Sequence, residues 1–195
     1  MSKNSSKRGS VLIAGGGIGG MQAALDLADS GFKVHMIQRE SSIGGTMAML
    51  DKTFPTGDCS MCMISPKMVE VGRHPNIVIH TLSEVAGVDG EPGNFTVRVR
   101  EQPRFVNPEL CTGCGACEKK CPRLVLSEFE QGLSKRKAIY TILPQAVPLT
   151  RVIDKDNCIY LTKGKCRACV KFCPTGAINF EDTEKEYDLR WEPLF

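Results

Sequence analysis

Several features are scarce in this sequence, and each scarcity excludes something. Only three of the 195 residues are His, and none of the three, at positions 35, 74 and 80, has the spacing of a metal-ligand set. No stretch approaches the roughly 18 consecutive apolar residues of a membrane helix, so no transmembrane segment is expected. The opening residues, MSKNSSKRGS, are polar and basic, and Val11–Ala14 is too short for the apolar core of a secretory leader. The 25 Lys/Arg against 22 Asp/Glu leave a formal charge of only +3, too little to argue for nucleic-acid binding. A disulfide scaffold of an exported protein is therefore not expected. A reducing, cytoplasmic setting is.

Cysteine and glycine are plentiful instead, at ten and 19 residues. Eight cysteines fall into two runs. The first is Cys111-x2-Cys114-x2-Cys117-x3-Cys121-Pro122, the spacing of bacterial ferredoxins. A cubane needs four thiolates converging on one point. Three at x2 spacing wrap a tight loop around one cube, with Gly113 and Gly115 permitting the curl. The fourth, followed by Pro, heads for the other cube. The second run is Cys158-x7-Cys166-x2-Cys169-x3-Cys173-Pro174, whose first gap is longer by five residues, about Tyr160–Gly164.

By the crossed rule of two-cluster ferredoxins, one [4Fe–4S] cluster takes Cys111, Cys114, Cys117 and Cys173. The other takes Cys158, Cys166, Cys169 and Cys121. Zinc is the competing reading, but zinc sites do not call for this x2–x2–x3–Pro pattern. The halves also repeat internally, Val106–Cys111 matching Ile153–Cys158 at a fixed offset. Residues 104–173 hold thirteen Lys/Arg against six Asp/Glu, an excess that would offset the negative charge of two clusters.

Upstream, Val11–Ala14 reads as a buried strand, Gly20–Ser30 as a helix stopped by Gly31, and Lys33–Gln38 as a second strand. This strand–helix–strand unit places Gly15-Gly16-Gly17-Ile18-Gly19-Gly20 at its first turn, where G-x-G-x-x-G is a credible dinucleotide site. Gly15 would allow the tight turn, Gly17 the approach of a pyrophosphate, and Gly20 close packing of helix on strand. The acidic residue that should hold the ribose hydroxyls is absent. Gln38 stands there, with Glu40 two positions on. Gly44-Gly45-Thr46 resembles the glycine pair that follows this strand in flavoproteins, and favours FAD over NAD.

Residues 41–63 read as loop, with Ser65-Pro66 opening a helix to about Arg73. Ile77–His80 reads as a third strand, and Glu84–Val88 with Phe95–Arg100 as a hairpin. The remaining cysteines, Cys59 and Cys62, form one C-x2-C in the loop before that helix. Three readings stay open for them: a redox pair, half of a third cluster, or inert thiols.

The glycine loop, Gly44-Gly45, Leu50–Pro55, Asp58-Cys59-Ser60-x-Cys62, Pro66–Ile77 and both cysteine runs occur in one order. Together they resemble HdrA, the iron–sulfur flavoprotein component of heterodisulfide reductase, and its relatives in sulfate reducers. The resemblance implies a thioredoxin-reductase-like FAD domain with an inserted ferredoxin domain. The fold expected is thus an α/β, Rossmann-like FAD-binding half-domain plus an α+β ferredoxin domain. The expected layout is a flexible arm over 1–9, a partial FAD domain over 10–103, a two-cluster ferredoxin domain over 104–180 and an acidic tail over 181–195. Relative to the family the chain looks truncated or split.

The function implied is that of one component of an oxidoreductase, not a self-sufficient enzyme. It would pass electrons between FAD, two [4Fe–4S] clusters and other subunits of a heterodisulfide-reductase-like complex. A hydrogenase, a formate dehydrogenase or ferredoxin would be a donor. The alternatives are a flavin-free ferredoxin-like carrier whose glycine-loop part is a docking scaffold, and a non-functional gene fragment.

Overall fold

The computed structural model describes residues 9–190. Residues 1–8 of the expected 1–9 arm, and residues 191–195 of the expected tail, lie outside the described residues. The chain forms two compact units: Pro103–Thr183 is one, and the stretches up to Gln102 and from Glu184 make the other.

The first unit opens with strand β1 (Ser10–Ala14), helix α1 (Ile18–Asp29) and strand β2 (Lys33–Gln38). After a single 3-10 turn at Thr46–Met49 come helix α2 (Ser60–Arg73) and strand β3 (Ile77–Thr81). The three strands make a parallel sheet in the order β1-β2-β3, with Leu12 opposite His35 and His35 opposite Val78. Met21, Ala24, Leu25 and Ala28 recur at helical spacing and bury the inner stripe of α1.

Helix α2 starts a full turn before the position that Ser65-Pro66 suggested. Cys59 is its N-cap, and Pro66 sits inside it. The reason is burial: Ile64, Met68 and Val71 are fully buried on one stripe, and Ile64 lies upstream of the proline. Packing that stripe outweighs the one helical hydrogen bond Pro66 cannot donate. The stretch read as loop over residues 41–63 therefore contains both the 3-10 turn and the first turn of α2.

Strands β4 (Ser83–Glu91) and β5 (Asn94–Glu101) form the expected hairpin around Pro92-Gly93, with a bulge between Val85 and Gly87. Val97 and Val99 of β5 pack with Ile37 of β2, so this second sheet covers one face of the parallel one.

The second unit is built of short elements. Helix α3 (Ala116–Lys120) is followed by strands β6 (Leu124–Leu126), β7 (Lys135–Lys137), β8 (Ile139–Tyr140) and β9 (Val152–Ile153). Helices α4 (Ile159–Lys163) and α5 (Ala168–Lys171) complete it. β6 pairs with β7 and β8 with β9, both antiparallel. Its core is Phe105, Val106, Cys117, Ile139, Ile153 and Ala177, ringed by further cysteines.

The internal repeat has the same local geometry in both halves. Asn107 Oδ1 accepts from the Glu109 amide, and Asp154 Oδ1 accepts from the Asp156 amide. The amides of Cys111 and Cys158 donate back to the carbonyls of Asn107 and Asp154. The five extra residues of the second half are taken up by α4, a single turn closed by Gly164 at φ +67°.

The chain then returns to the first unit, which corrects the acidic tail. Strand β10 (Lys185–Arg190) pairs antiparallel with β5, in the sheet order β10-β5-β4. Tyr187 and Leu189 alternate inward onto the Ile37 cluster, while Glu184 and Asp188 lie near Arg100 and Arg98. The dense charge had hidden a period of two.

Candidate cluster and dinucleotide sites

Each half of the second unit presents cysteines around a cavity. One is lined by Cys111, Cys114, Cys117 and Cys173. The other is lined by Cys121, Cys158, Cys166 and Cys169. Three members of each set come from one run and the fourth from the other. Among the described residues no three His, Cys, Asp or Glu side chains converge tightly enough for a single ion. The donor sets are all sulfur and line a larger space, which fits a cluster better than a lone zinc.

Local backbone chemistry brings the thiols there. Gly113 and Gly115 both take positive φ, +70° and +77°, so the loop curls and places Cys114 between them. A Cβ at Gly115 would lie 2.7 Å from Arg151 Nη2, so a side chain there would have to push the guanidinium aside. In the second run Cys166 itself takes the positive φ, +82°.

Burial holds the thiols of Cys117 and Cys169 well up, to about 11 and about 12. The Ala116 amide and the Thr112 hydroxyl hold Cys114 down. Burial raises Cys173, but hydrogen bonds from Thr175 and from the Ala177 and Gly176 amides bring it below its ordinary value. Ligation of the two buried thiols would thus release protons.

Arg151 was not singled out by the sequence. Its guanidinium lines the first cavity, donates to the Gly113 carbonyl at 3.2 Å and pairs with Glu118 at 3.3 Å.

The glycine loop closes the other candidate site. Gly15, at φ +107°, donates to the Ile37 carbonyl at 2.8 Å. A Cβ on Gly20 would collide with the Gly15 carbonyl oxygen, so helix and strand pack as close as backbone allows. Gly17 is the N-cap of α1 and brings no capping side chain. A Cβ at Gly17 or Gly19 would meet nothing within 4 Å, leaving the space a phosphate would need at the helix N-terminus. The Gly44 amide donates to the Gly16 carbonyl at 2.8 Å, and Gly45, at φ +57°, packs against Gly17, so the two glycine clusters meet. Thr46 begins the 3-10 turn that follows.

Gln38 is buried and turned into the loop. Its Oε1 accepts from the Gly16 amide at 2.7 Å, and its Nε2 donates to the exposed Glu40 carboxylate. Gly16, passed over in the sequence, is fixed by this contact: a Cβ there would lie 2.6 Å from Ile43 Cγ2 and 3.1 Å from Gln38 Oε1.

Cys59 and Cys62 lie on the first unit, both exposed, with their sulfurs 2.7 Å apart.

Comparison with known proteins matches residues 10–58 to the FAD dependent oxidoreductase model. Residues 104–127 and 155–176 each match a 4Fe-4S binding domain model. The HdrA iron-sulfur component of the CoB--CoM heterodisulfide reductase of Methanocaldococcus jannaschii is 50% identical over 181 residues, 93% of this chain and 27% of that one. The corresponding HdrA component of the H(2):CoB-CoM heterodisulfide,ferredoxin reductase of Methanothermobacter marburgensis is 49% identical over 179 residues, 92% of this chain and 26% of that one.

The matched stretch belongs to the heterodisulfide reductase HdrA family.

The chain spans about a quarter of the length of the HdrA relatives it matches. Among solved structures, L-proline dehydrogenase from P. horikoshii is 28% identical with a TM-score of 0.41, over 47% of this chain and 19% of that one. The chain combines a stretch that matches an FAD dependent oxidoreductase model with two that match 4Fe-4S binding domain models, and its elements are mixed α/β. No helix among the described residues is long and apolar enough to cross a membrane.

Proposed function

We propose that this chain is an electron-transfer part of a heterodisulfide-reductase-like complex, working in the cytoplasm. It passes electrons between FAD, two [4Fe–4S] clusters and partner proteins. When bound, the clusters carry single electrons and the flavin exchanges pairs. The chain's own work is to hold them. Cys111, Cys114, Cys117 and Cys173 hold one cluster, and Cys158, Cys166, Cys169 and Cys121 the other. Gly15, Gly17 and Gly20 seat the pyrophosphate, with Gly44, Gly45 and Thr46 beside them. Glu40, held by Gln38, would take the ribose hydroxyls. The partners are other subunits of the complex, with a hydrogenase, a formate dehydrogenase or ferredoxin as donor.

One observation carries the reading: the grouping of eight thiols into two cavities, each with three cysteines of one run and one of the other. Such crossing belongs to two-cluster electron carriers. Anaerobic purification with iron, zinc and flavin quantified together tests it, and about eight irons per chain are expected from two cubanes. Iron at half that or less with stoichiometric zinc would overturn it.

Gln38 favours a second reading at one point, since both ends of its amide are already engaged within the chain. A flavin-free carrier, with the glycine-loop unit as docking scaffold, would show full iron and no flavin absorption.

A further inference from the structure

Cys59 and Cys62 are not used by either cavity. Cys59 is the N-cap of the 14-residue helix α2, and Cys62 lies in its first turn. The Cys62 amide donates to Cys59 Sγ at 3.3 Å, and the Cys62 thiol donates to the same sulfur at 2.7 Å. Both side chains are exposed. We propose that Cys59 and Cys62 form a thiol–disulfide exchange site, with Cys59 as the attacking thiolate, Cys62 as the resolving thiol and a solvent-accessible disulfide as substrate.

Three features assign the roles. First, both hydrogen bonds point at Cys59 Sγ, so negative charge is stabilised there and not on Cys62. Second, Cys59 stands where the helix presents its amides, which favours a thiolate. Third, the pair opens the helix that links the parallel strands β2 and β3, in a chain expected in a reducing compartment, the setting in which C-x2-C reads as a dithiol. The titration tendencies agree. The Cys62 thiol and amide hold Cys59 below the ordinary thiol range, against weaker opposition from Asp51, and Cys62 is pushed up by its hydrogen bond to Cys59 and by that neighbour's charge. Inert packing thiols would be buried and apart. A cubane would need two further ligands beside this pair.

The exchange balances without an added reductant. Cys59 S⁻ attacks one sulfur of RSSR, the S–S bond breaks, and RS⁻ leaves as the Cys59–S–S–R bond forms. The proton of the Cys62 thiol passes to solvent or to the leaving thiolate. Cys62 S⁻ then attacks Cys59 Sγ, closing the Cys59–Cys62 disulfide and releasing the second RS⁻. The dithiol loses two electrons and RSSR gains them as two RSH.

The test uses anaerobically purified holoprotein and its Cys59→Ser and Cys62→Ser variants. The probes are 5,5′-dithiobis(2-nitrobenzoate) and glutathione disulfide, with modified peptides located by mass spectrometry. The serine in Cys62→Ser retains a donor to Cys59. The expected result is a stable mixed disulfide on Cys59 in Cys62→Ser, and an internal Cys59–Cys62 disulfide in the parent chain. At pH 7, Cys59 in Cys62→Ser should be alkylated by iodoacetamide about tenfold faster than Cys62 in Cys59→Ser. Equal alkylation rates, or failure to trap the mixed disulfide, would overturn the proposal. So would iron above about eight per chain that falls when either cysteine is replaced, because the pair would then be cluster ligands. An iron content of about eight with no exchange would sink this proposal and leave the electron-carrier reading standing.

Discussion

The hydroxyl of Tyr187 lies 2.8 Å from Nδ1 of His80, a residue 107 positions earlier in the chain. His80 Nε2 in turn meets His35 Nδ1 at 3.1 Å, so one line of polar contacts runs from β2 through β3 to β10. Burial holds both imidazoles below their ordinary pKa of 6.5, His80 down to about 4, with Lys33 adding to each and His35 adding to His80. In the unfolded chain they protonate near 6.5. The folded unit therefore binds fewer protons between about pH 6.5 and about pH 4, and its stability falls as pH drops through that window. With solvent reaching part of the site, the loss attributable to His80 is at most about 2 kcal/mol. Thermal unfolding followed at pH 7.5, 6 and 5 should show a decline that His80→Phe flattens.

The proposed crossing of the fourth cysteines separates the two clusters genetically. Cys173→Ser should remove or convert the cluster held with Cys111, Cys114 and Cys117. Cys121→Ser should affect the one held with Cys158, Cys166 and Cys169. Each variant is expected to lose up to about half of the iron, and electron paramagnetic resonance of the reduced proteins should show two different surviving signals. The same signal surviving in both would contradict the crossing.

Arg151 lines the cavity of Cys111, Cys114, Cys117 and Cys173 and not the other, which Arg123 lines. Replacement of Arg151 by Gln or Met should lower the potential of the cluster held by Cys111, Cys114, Cys117 and Cys173. The shift should be on the order of tens of millivolts, the scale of one solvent-screened charge. The other cluster should not move. Redox titration monitored by electron paramagnetic resonance reads both at once.

Gly16 is fixed by contacts on two sides. Gly16→Ala should force Ile43 and Gln38 aside, at a cost of about 1–3 kcal/mol, and reduce flavin content while iron stays constant. Gly19→Ala, where a methyl group meets nothing, should be tolerated in the apoprotein. If a phosphate lies above Gly19, the same variant should weaken flavin binding.

Much of this was legible in the residues because the chemistry demanded fixed spacings. The cysteine runs and the glycine loop are read from position alone, and the buried stripe of α1 follows from its apolar period. What escaped was set at long range. Ser65-Pro66 looked like a helix start because its local cost is visible and the burial of Ile64 is not. The alternation of Tyr187 and Leu189 was masked by the acidic residues around them, Glu184, Glu186 and Asp188. Arg151 gave no signal, since it is defined by partners far along the chain. The loop glycine Gly16 could have been suspected from the G-x-G-x-x-G pattern, but the pattern does not say that Gln38 would turn inward to meet it.

The chain leaves and rejoins the first unit at neighbouring points. Glu101 and Lys185 face each other in register across β5 and β10, and Gln102 Nε2 donates to Glu184 at 2.7 Å. The Asp182 carboxylate accepts from the Arg104 and Phe105 amides at 2.9 and 3.1 Å, pinning the neck of the second unit. Topologically, everything from Pro103 to Thr183 hangs from adjacent ends of what would otherwise be an ordinary hairpin. A gene could gain, lose or exchange that cassette at a single junction without shifting one residue pair of the sheet that carries it. Both 4Fe-4S binding stretches thus lie inside a cassette that the pairing of β5 with β10 does not need.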